Sequence, residues 1–179
     1  ECFDYAEIDL TTPGSKTQAF LQGYHRLKKV SEKYNIRVYA GAELRFDESD
    51  NDYLLYGFHD ALLADPDRVM REGLAAFAPQ YRADGALLVQ AHPFRQKCTP
   101  APAEYLDGVE VLTLNPRHDS HNDLALAYAK EHHLIMTAGS DCHRPGDQGT
   151  TGILSDTLPE DSFGLADLLR SGNYTIIRP

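Results

Sequence analysis

Short apolar runs alternate with amphipathic segments along this sequence, and this alternation limits the folds open to it. Apolar residues recur on a helical period from Ser15 to Tyr34, and Asp65-Pro66 joins a capping residue to a proline suited to a first helical turn. The predicted helices cover residues 15–34, 65–81, 121–133 and 162–171, and the predicted strands cover 36–42, 85–91, 108–112, 134–138 and 174–177. This order favours an α/β fold with parallel strands joined by helices, in a barrel or an open sheet, and one domain over residues 1–179.

Composition and charge exclude several classes of protein. The formal net charge is −10, which argues against a nucleic-acid-binding role because phosphate backbones repel an acidic surface. No apolar run approaches the length of a membrane span, and no basic segment of a signal peptide opens the chain. The three cysteines form no C-x-x-C pair, so we expect a cytoplasmic protein without a disulfide framework.

Three predicted strands end in side chains that can bind metal. These side chains are Glu43, His92 and the pair Asp141 and His143. In parallel α/β folds the binding sites lie outside the carboxyl ends of the strands, so we expect these ends to converge. Asp141 and His143 are two residues apart, which places both on one face of an extended segment. Mixed nitrogen and oxygen donors suit Zn²⁺, Mn²⁺ or Fe²⁺ better than Ca²⁺ or Mg²⁺.

Each of these signals has an ordinary alternative when taken alone. Glu43 could be an exposed loop carboxylate, and His92, which precedes a proline, could be a structural turn residue. The Asp-x-His pattern is short enough to arise by chance. Their occurrence in order, each at the end of a predicted strand, is much more specific than any one of them.

The same motifs resemble those of the PHP (polymerase and histidinol phosphatase) superfamily. Gly41-Ala42-Glu43 is similar to its G-x-E motif, Ala91-His92-Pro93 to its H-P motif, and Gly139-Ser140-Asp141-Cys142-His143 to its G-S-D-x-H motif. Gly108-Val109-Glu110-Val111 resembles the family's G-x-E-x strand. The segment from Asp52 to Gly57 resembles the strand that follows G-x-E.

The resemblance implies a distorted (β/α)7 barrel that holds two or three divalent metal ions (Zn, Mn or Fe) at its C-terminal face. Glu43 would bridge two ions, and His92 would bind one of them. Asp141 would bind the ion that the first family motif also holds, and His143 would bind a third ion. Such a site hydrolyses phosphate esters through a metal-activated water.

The chain also departs from the family pattern, because it contains neither the H-x-H motif nor the D-H pair with which members begin. We therefore expect N-terminal βα units that this sequence does not include. The function implied is a histidinol phosphatase-like phosphoesterase acting on a small phosphorylated metabolite. The alternatives are a non-catalytic PHP domain with a degenerate metal site that serves as a structural or interaction module, and an enzyme acting on a nucleic-acid end, against which the acidic charge argues.

Other polar residues near these motifs are candidates for substrate or metal contacts. Arg95, Arg117 and Arg144 could contact a phosphate group, for which the forked guanidinium is well suited. His118 and His121 could bind metal or phosphate, or they could belong to a polar loop that precedes a helix. The sequence leaves the oligomeric state open.

Overall fold

The computed structural model describes residues 15–178, which contain four α-helices and seven strands. The helices are α1 (Ser15–Ser31), α2 (Pro66–Asp84), α3 (Asn122–Glu131) and α4 (Ser162–Ser171). The strands are β1 (Gly41–Leu44), β2 (Tyr53–Tyr56), β3 (Leu87–Gln90), β4 (Gly108–Thr113), β5 (Ile135–Gly139), β6 (Gly152–Leu154) and β7 (Thr175–Ile177). Short 3₁₀ helices cover Glu32–Tyr34, Asp60–Leu63 and Ala103–Tyr105.

The strands form one mixed sheet of five and a separate antiparallel pair. The larger sheet has the order β1-β2-β3-β4-β5, and the pair consists of β6 and β7. Pairing is parallel from β3 to β5, as predicted, but β2 is antiparallel to both β1 and β3. The prediction of parallel strands is wrong there because only residues 45–52 join β1 to β2, fewer than the dozen or so that a parallel crossover needs.

The barrel that the resemblance implies is not seen among residues 15–178. Their five-stranded sheet is open, and the β6–β7 pair forms its own sheet rather than closing the larger one. The fold of this part of the chain is therefore a mixed α/β sheet with helices.

Two strand predictions differ from the structure in their extent. The strand predicted from residue 36 begins only at Gly41. Before it, the Arg37 Nη1 and Tyr39 hydroxyl groups donate to the carbonyl of Pro159, both over 2.7 Å, so side chains attach this segment to the fold. Strand β6 was not predicted, because a three-residue strand after a polar, glycine-containing stretch gives little periodic signal.

Local capping explains where α2 and α4 begin and where α4 ends. The Asp65 carboxylate accepts a hydrogen bond from the N–H of Arg68 over 3.0 Å at the start of α2, and Asp161 accepts one from Gly164 over 2.8 Å at the start of α4. Gly172 ends α4 with a φ of 68°, a left-handed conformation that glycine adopts without strain. None of the helices within residues 15–178 combines the length and apolarity needed to cross a membrane.

The sheet is covered by helices on both faces. Leu88 of β3 packs in a core with Phe77 and Tyr81 of α2, while its neighbours Leu87 and Val89 pack in a second core with residues of α4. Successive side chains of a strand point to opposite faces, so both faces of β3 are covered and all four of its residues are buried. Three of them are apolar, and the amide of the fourth, Gln90, is hydrogen-bonded to the backbone of Thr99 and Ala101. This burial fixes β3 in the middle of the sheet and with it the position of the loop that follows.

Candidate metal centre

Polar side chains from several strands meet at one edge of the five-stranded sheet. Glu43 lies in β1, while His92 and Asp141 lie two residues after β3 and β5. Since β1 and β3 both pair antiparallel with β2, they run in the same direction and their carboxyl ends share this edge. Asp52, directly before the first residue of β2, reaches the same edge from an amino end.

Glu43, Asp52 and His92 form a group that we call the strand-end cluster. Each offers one donor atom, and these atoms all lie within 4.8 Å of one another. The His92 Nε2 atom is 3.8 Å from Asp52 Oδ2. Asp52 and His92 are buried, whereas Glu43 is exposed. Within residues 15–178, this is the group of acidic, histidine or cysteine side chains whose donor atoms converge closely enough to hold a metal ion.

Contacts to its backbone and its ring fix the orientation of His92. Its φ is 30°, and its N–H donates to Glu110 Oε2 over 3.2 Å. The ring Nδ1 lies 3.8 Å from Cys98 Sγ, while Nε2 is the ring atom near Asp52. Burial of the ring and then the positive charge of Arg95 lower the pKa of His92 to about 4. The imidazole is therefore neutral near pH 7, which is the form that binds metal.

Glu110, in β4, is a fully buried carboxylate that supports His92. Besides the His92 N–H, its Oε2 accepts a hydrogen bond from Thr113 Oγ1 over 3.1 Å. Burial, joined by the charges of Asp141 and Glu43, raises the pKa of Glu110 to about 7, although its hydrogen bonds act in the opposite direction. The G-x-E-x motif found in the sequence thus contributes a side chain that holds the backbone of a cluster residue.

Asp141 is held by an arginine and an amide. Arg95 Nη2 lies 2.7 Å from Asp141 Oδ2, and Asn115 Nδ2 donates to both the carboxylate and the backbone carbonyl of Asp141. Burial would raise the pKa of Asp141, but the hydrogen bond and charge of Arg95 lower it below its ordinary value. His143 Nδ1 lies 3.3 Å from Asp141 Oδ1, and the His143 side chain is 57% exposed. Burial is the main cause that raises the pKa of Glu43, and the negative charges of Asp52 and then Asp141 raise it further. Glu43 and Asp141, both predicted ligands, therefore interact electrostatically.

Asp147 organises the segment from residue 141 to residue 147, which we call the Asp141 loop. Arg117 donates from both Nη atoms to the Asp147 carboxylate, over 2.9 and 2.7 Å. The backbone N–H groups of His143 and Arg144 donate to Asp147 Oδ2 over 3.0 and 2.9 Å. The hydrogen bond from Arg117, and then those from the backbone, hold the pKa of Asp147 well below its usual range. Of the predicted phosphate contacts, Arg117 is thus engaged with Asp147, and Arg144 is an exposed residue of this loop.

His118 and His121 lie outside the strand-end cluster. Both are exposed, and His121 precedes α3 with a φ of 46°. Its Nδ1 atom lies 3.6 Å from Asp119 Oδ2, and its N–H donates to Asp119 Oδ1. These are the surroundings of a polar loop before a helix, the alternative that the sequence left open for both residues.

Asp52 is the cluster residue that sequence reasoning did not identify as a ligand. The predicted ligands all lie at the carboxyl ends of strands, whereas Asp52 lies at the amino end of an antiparallel one. The short connection of residues 45–52 carried the missing signal, because a connection of that length favours a hairpin. A hairpin places the start of its second strand beside the end of its first, and therefore Asp52 near Glu43.

The donors of the strand-end cluster fit a divalent cation. Two carboxylates and a neutral imidazole suit Zn²⁺, Mn²⁺ or Fe²⁺. The guanidinium of Arg45 already binds Asp52, with Nε on Oδ1 and Nη2 on Oδ2, both over 2.7 Å. Each carboxylate oxygen has two lone pairs, so this ion pair leaves Asp52 able to bind a metal ion as well.

Two solved structures similar to this chain come from bacteria, and the first of them shares its fold. PsfC from Pseudomonas syringae PB-5123 is 16% identical, with a TM-score of 0.61 over 91% of this chain and 74% of PsfC. A candidate metal-dependent phosphoesterase from Bifidobacterium adolescentis ATCC 15703 is also 16% identical, with a TM-score of 0.48 over 90% of this chain and 83% of that protein. No curated protein matches the chain significantly. Residues 119–171, which include the Asp141 loop, match the family model described as PHP-associated, and this confirms that the chain is related to PHP proteins.

Proposed function

We propose that this protein is a metal-dependent hydrolase that cleaves a phosphate ester of a small metabolite. The observation that carries the proposal is the convergence of Glu43, Asp52 and His92 donor atoms within 4.8 Å of one another. The PHP-associated match over residues 119–171 supports it independently, because that segment contains the other two predicted ligands, Asp141 and His143.

In this proposal the strand-end cluster holds a divalent cation, and Asp141 and His143 offer donors for a second or third one. Such cations polarise a phosphoryl oxygen and lower the pKa of a water molecule so that it can attack at neutral pH. Glu110 keeps the backbone of His92 in place, and Arg95 keeps the carboxylate of Asp141 in place. The exposure of His143 leaves room for a solute to reach this edge of the sheet from solvent.

The substrate we propose is a small phosphorylated molecule rather than a nucleic acid. The chain carries 27 acidic and 17 basic residues, so a long phosphate polymer would meet net repulsion. A small phosphate ester needs only the local positive charge of bound cations and nearby arginines such as Arg95.

We also propose that the open sheet belongs to a distorted (β/α)7 barrel that upstream βα units complete with the H-x-H and D-H ligands. An apolar surface on and after α1 supports this, since four large apolar side chains there are about half exposed or more: Leu27, Val30, Tyr34 and Ile36. A chain extended upstream should unfold at a higher temperature than the present one and bind more metal per chain. An unchanged unfolding temperature and metal content would contradict the barrel without affecting the strand-end cluster.

A second candidate function is that of a non-catalytic module. The specific observation in its favour is the ion pair between Arg45 and Asp52, which already neutralises a cluster carboxylate without a metal ion. A module of this kind would bind no metal at the cluster and release no phosphate.

Phosphate release from an aryl phosphate, measured with Zn²⁺, Mn²⁺ or Fe²⁺ added in turn, separates the two candidates. We expect the purified protein to be active with at least one of these metals and inactive after chelation. Glu43→Gln and His92→Ala should both lose this activity, whereas Glu72→Gln, on the exposed face of α2, should keep it. Inactivity with every metal and a broad panel of phosphate esters would contradict the hydrolase and favour the module.

A further inference from the structure

Arg45 is exposed beside the strand-end cluster, and sequence analysis gave it no role. Resting on the proposed function, we propose that Arg45 is a substrate-binding residue whose free guanidinium edge holds a non-bridging phosphoryl oxygen. Three observations lead to this: how its guanidinium is anchored, how much of it remains available, and how it differs from the other arginines near the site.

The anchoring of Arg45 is unusually rigid for an exposed side chain. Nε and Nη2 form two parallel hydrogen bonds with the oxygens of Asp52, each 2.7 Å long. Asp52 is buried, and its backbone carbonyl accepts a hydrogen bond from Ala91 N–H over 2.9 Å, so the carboxylate that anchors the fork is itself fixed by the sheet. A forked ion pair to a fixed carboxylate removes most of the rotational freedom of the arginine before any ligand binds.

The opposite edge of the same guanidinium is available to a ligand. The Arg45 side chain is 58% exposed, and its Nη1 group has no hydrogen-bond partner among residues 15–178. A guanidinium carries five N–H donors, of which the fork to Asp52 uses two. The remaining donors are directed away from Asp52 and can donate hydrogen bonds to a phosphoryl oxygen, while Asp52 faces His92 with its Oδ2 atom.

Two other arginines near the site are committed elsewhere, and the third, Arg144, is exposed on the Asp141 loop, where its backbone N–H is the group bound to Asp147. Arg117 uses both of its terminal nitrogens on Asp147, so the edge that would grip a phosphate is occupied. The Arg95 side chain is only 13% exposed and binds Asp141 and Ser120. Arg45 therefore combines a fixed position with an open edge, the arrangement that binding of an anion requires.

The test compares Arg45→Gln and Arg45→Lys with the control Arg68→Gln, in which the arginine forms a surface pair with Glu72. The readouts are KM and kcat for an aryl phosphate, the inhibition constant of inorganic phosphate, and the affinity for Zn²⁺ or Mn²⁺ by calorimetry. We expect Arg45→Gln to raise KM and the inhibition constant together, by about tenfold to a hundredfold, the loss of a charged hydrogen bond. Metal affinity should change by less than about threefold, Arg45→Lys should be intermediate, and Arg68→Gln should match the wild type.

Two results would overturn the assignment of Arg45. One is an unchanged KM and inhibition constant in Arg45→Gln. The other is a fall in metal affinity as large as the fall in activity, which would make Arg45 a positioning residue for Asp52 alone. If the wild type hydrolyses no ester, calorimetry of inorganic phosphate binding to the metal-loaded protein still decides on Arg45. Binding that Arg45→Gln weakens supports the assignment even when the proposed reaction fails, and binding that it leaves unchanged rejects it.

Discussion

The strand-end cluster and the Asp141 loop hold their polar side chains in different ways. Asp52 is fixed by the sheet itself: Tyr53 pairs with Gln90 in the ladder, and Ala91 N–H donates to the carbonyl of Asp52 over 2.9 Å. His92 directly follows Ala91, and Glu110 of the neighbouring strand β4 accepts its N–H. The Asp141 loop makes no ladder contacts within residues 15–178. Side chains such as Asp147 and Asn115 hold it through hydrogen bonds to its backbone.

This difference predicts different behaviour under mutation. The hydrogen bonds that join buried strands in a sheet break only when the whole fold unfolds. A loop held by a few side chains can rearrange while the fold stays intact. The cluster should therefore keep its geometry until the protein unfolds. The Asp141 loop should be adjustable, so it can contribute to substrate binding or rate without contributing much to metal retention.

The largest expected effect is on metal binding in His92→Ala. This change removes the one nitrogen donor of the strand-end cluster, and we expect the affinity for Zn²⁺ or Mn²⁺ to fall by at least about a hundredfold. Mutation of residues that only support a metal ligand already lowers metal affinity by about tenfold to a hundredfold. Calorimetric titration measures it, and His25→Ala, an exposed histidine of α1, is the control. If His92→Ala binds metal as tightly as the wild type, the strand-end cluster is not the metal site. The contrast drawn between the cluster and the Asp141 loop would then no longer concern metal binding.

Gly139→Ala tests whether a change at the end of β5, just before the Asp141 loop, is transmitted to the strand-end cluster. A Cβ at Gly139, the last residue of β5, would lie 2.4 Å from Glu110 Oε1, and Glu110 holds the backbone of His92. Because this carboxylate is buried and hydrogen-bonded, we expect a loss of about 1–3 kcal/mol in the free energy of unfolding, typical of overpacking, together with weaker metal binding. Urea unfolding and calorimetry measure the two effects.

The matched control for that variant is Gly152→Ala in β6, where a Cβ would meet no atom within 4 Å. Equal stability losses in the two variants would mean that the contact with Glu110 is not responsible. A stability loss in Gly139→Ala without weaker metal binding would mean that Glu110 does not transmit its displacement to His92.

Local sequence signals predicted much of the fold. Helix α4 was predicted with its bounds, because Gly172 directly follows its last residue and marks the stop. In the structure Asp161 caps its start. Helix α2 was predicted as uninterrupted, but Gly73 has a φ of 80° and breaks its regular conformation. Glu48 accepts a hydrogen bond from Leu74 N–H at this point, and a contact between residues 26 apart in the chain leaves no local pattern.

The residues of the candidate site also divide into those that local sequence signals predict and those that depend on contacts far along the chain. Glu43 and His92 were predicted because they end strands that the sequence reveals by their apolar runs. Asp52 and its partner Arg45 were not, because their role depends on the direction in which β2 pairs. Strand direction is a property of the whole sheet, and periodicity along one strand is the same in parallel and antiparallel pairs. Connection length was the available clue.

Asp147→Asn should alter the Asp141 loop and spare the strand-end cluster. An amide presents one acceptor oxygen where the carboxylate presents two, so Asn cannot serve both nitrogens of Arg117 and the two backbone N–H groups that Asp147 now holds. We expect kcat to fall by about tenfold while the affinity for the first metal ion changes by less than about threefold. Asp167→Asn, which alters an exposed pair with Arg170, is the control. A loss of metal affinity comparable to that of His92→Ala would show that loop and cluster form one unit.

The smallest effects are expected from His118→Ala and His121→Ala, which test whether the segment before α3 supplies metal ligands. Both side chains are exposed, and the contact of His121 is with Asp119, itself an exposed carboxylate. Surface changes of this kind shift the free energy of unfolding by less than about 0.5 kcal/mol, and we expect metal affinity and phosphate release to match the wild type. Calorimetry and the aryl phosphate assay measure both.

A clear loss of metal affinity in either variant would require the segment before α3 to move toward the sheet edge when metal binds, because neither side chain lies in the cluster as it stands. In that case the segment before α3 would be part of the metal centre in the metal-bound protein.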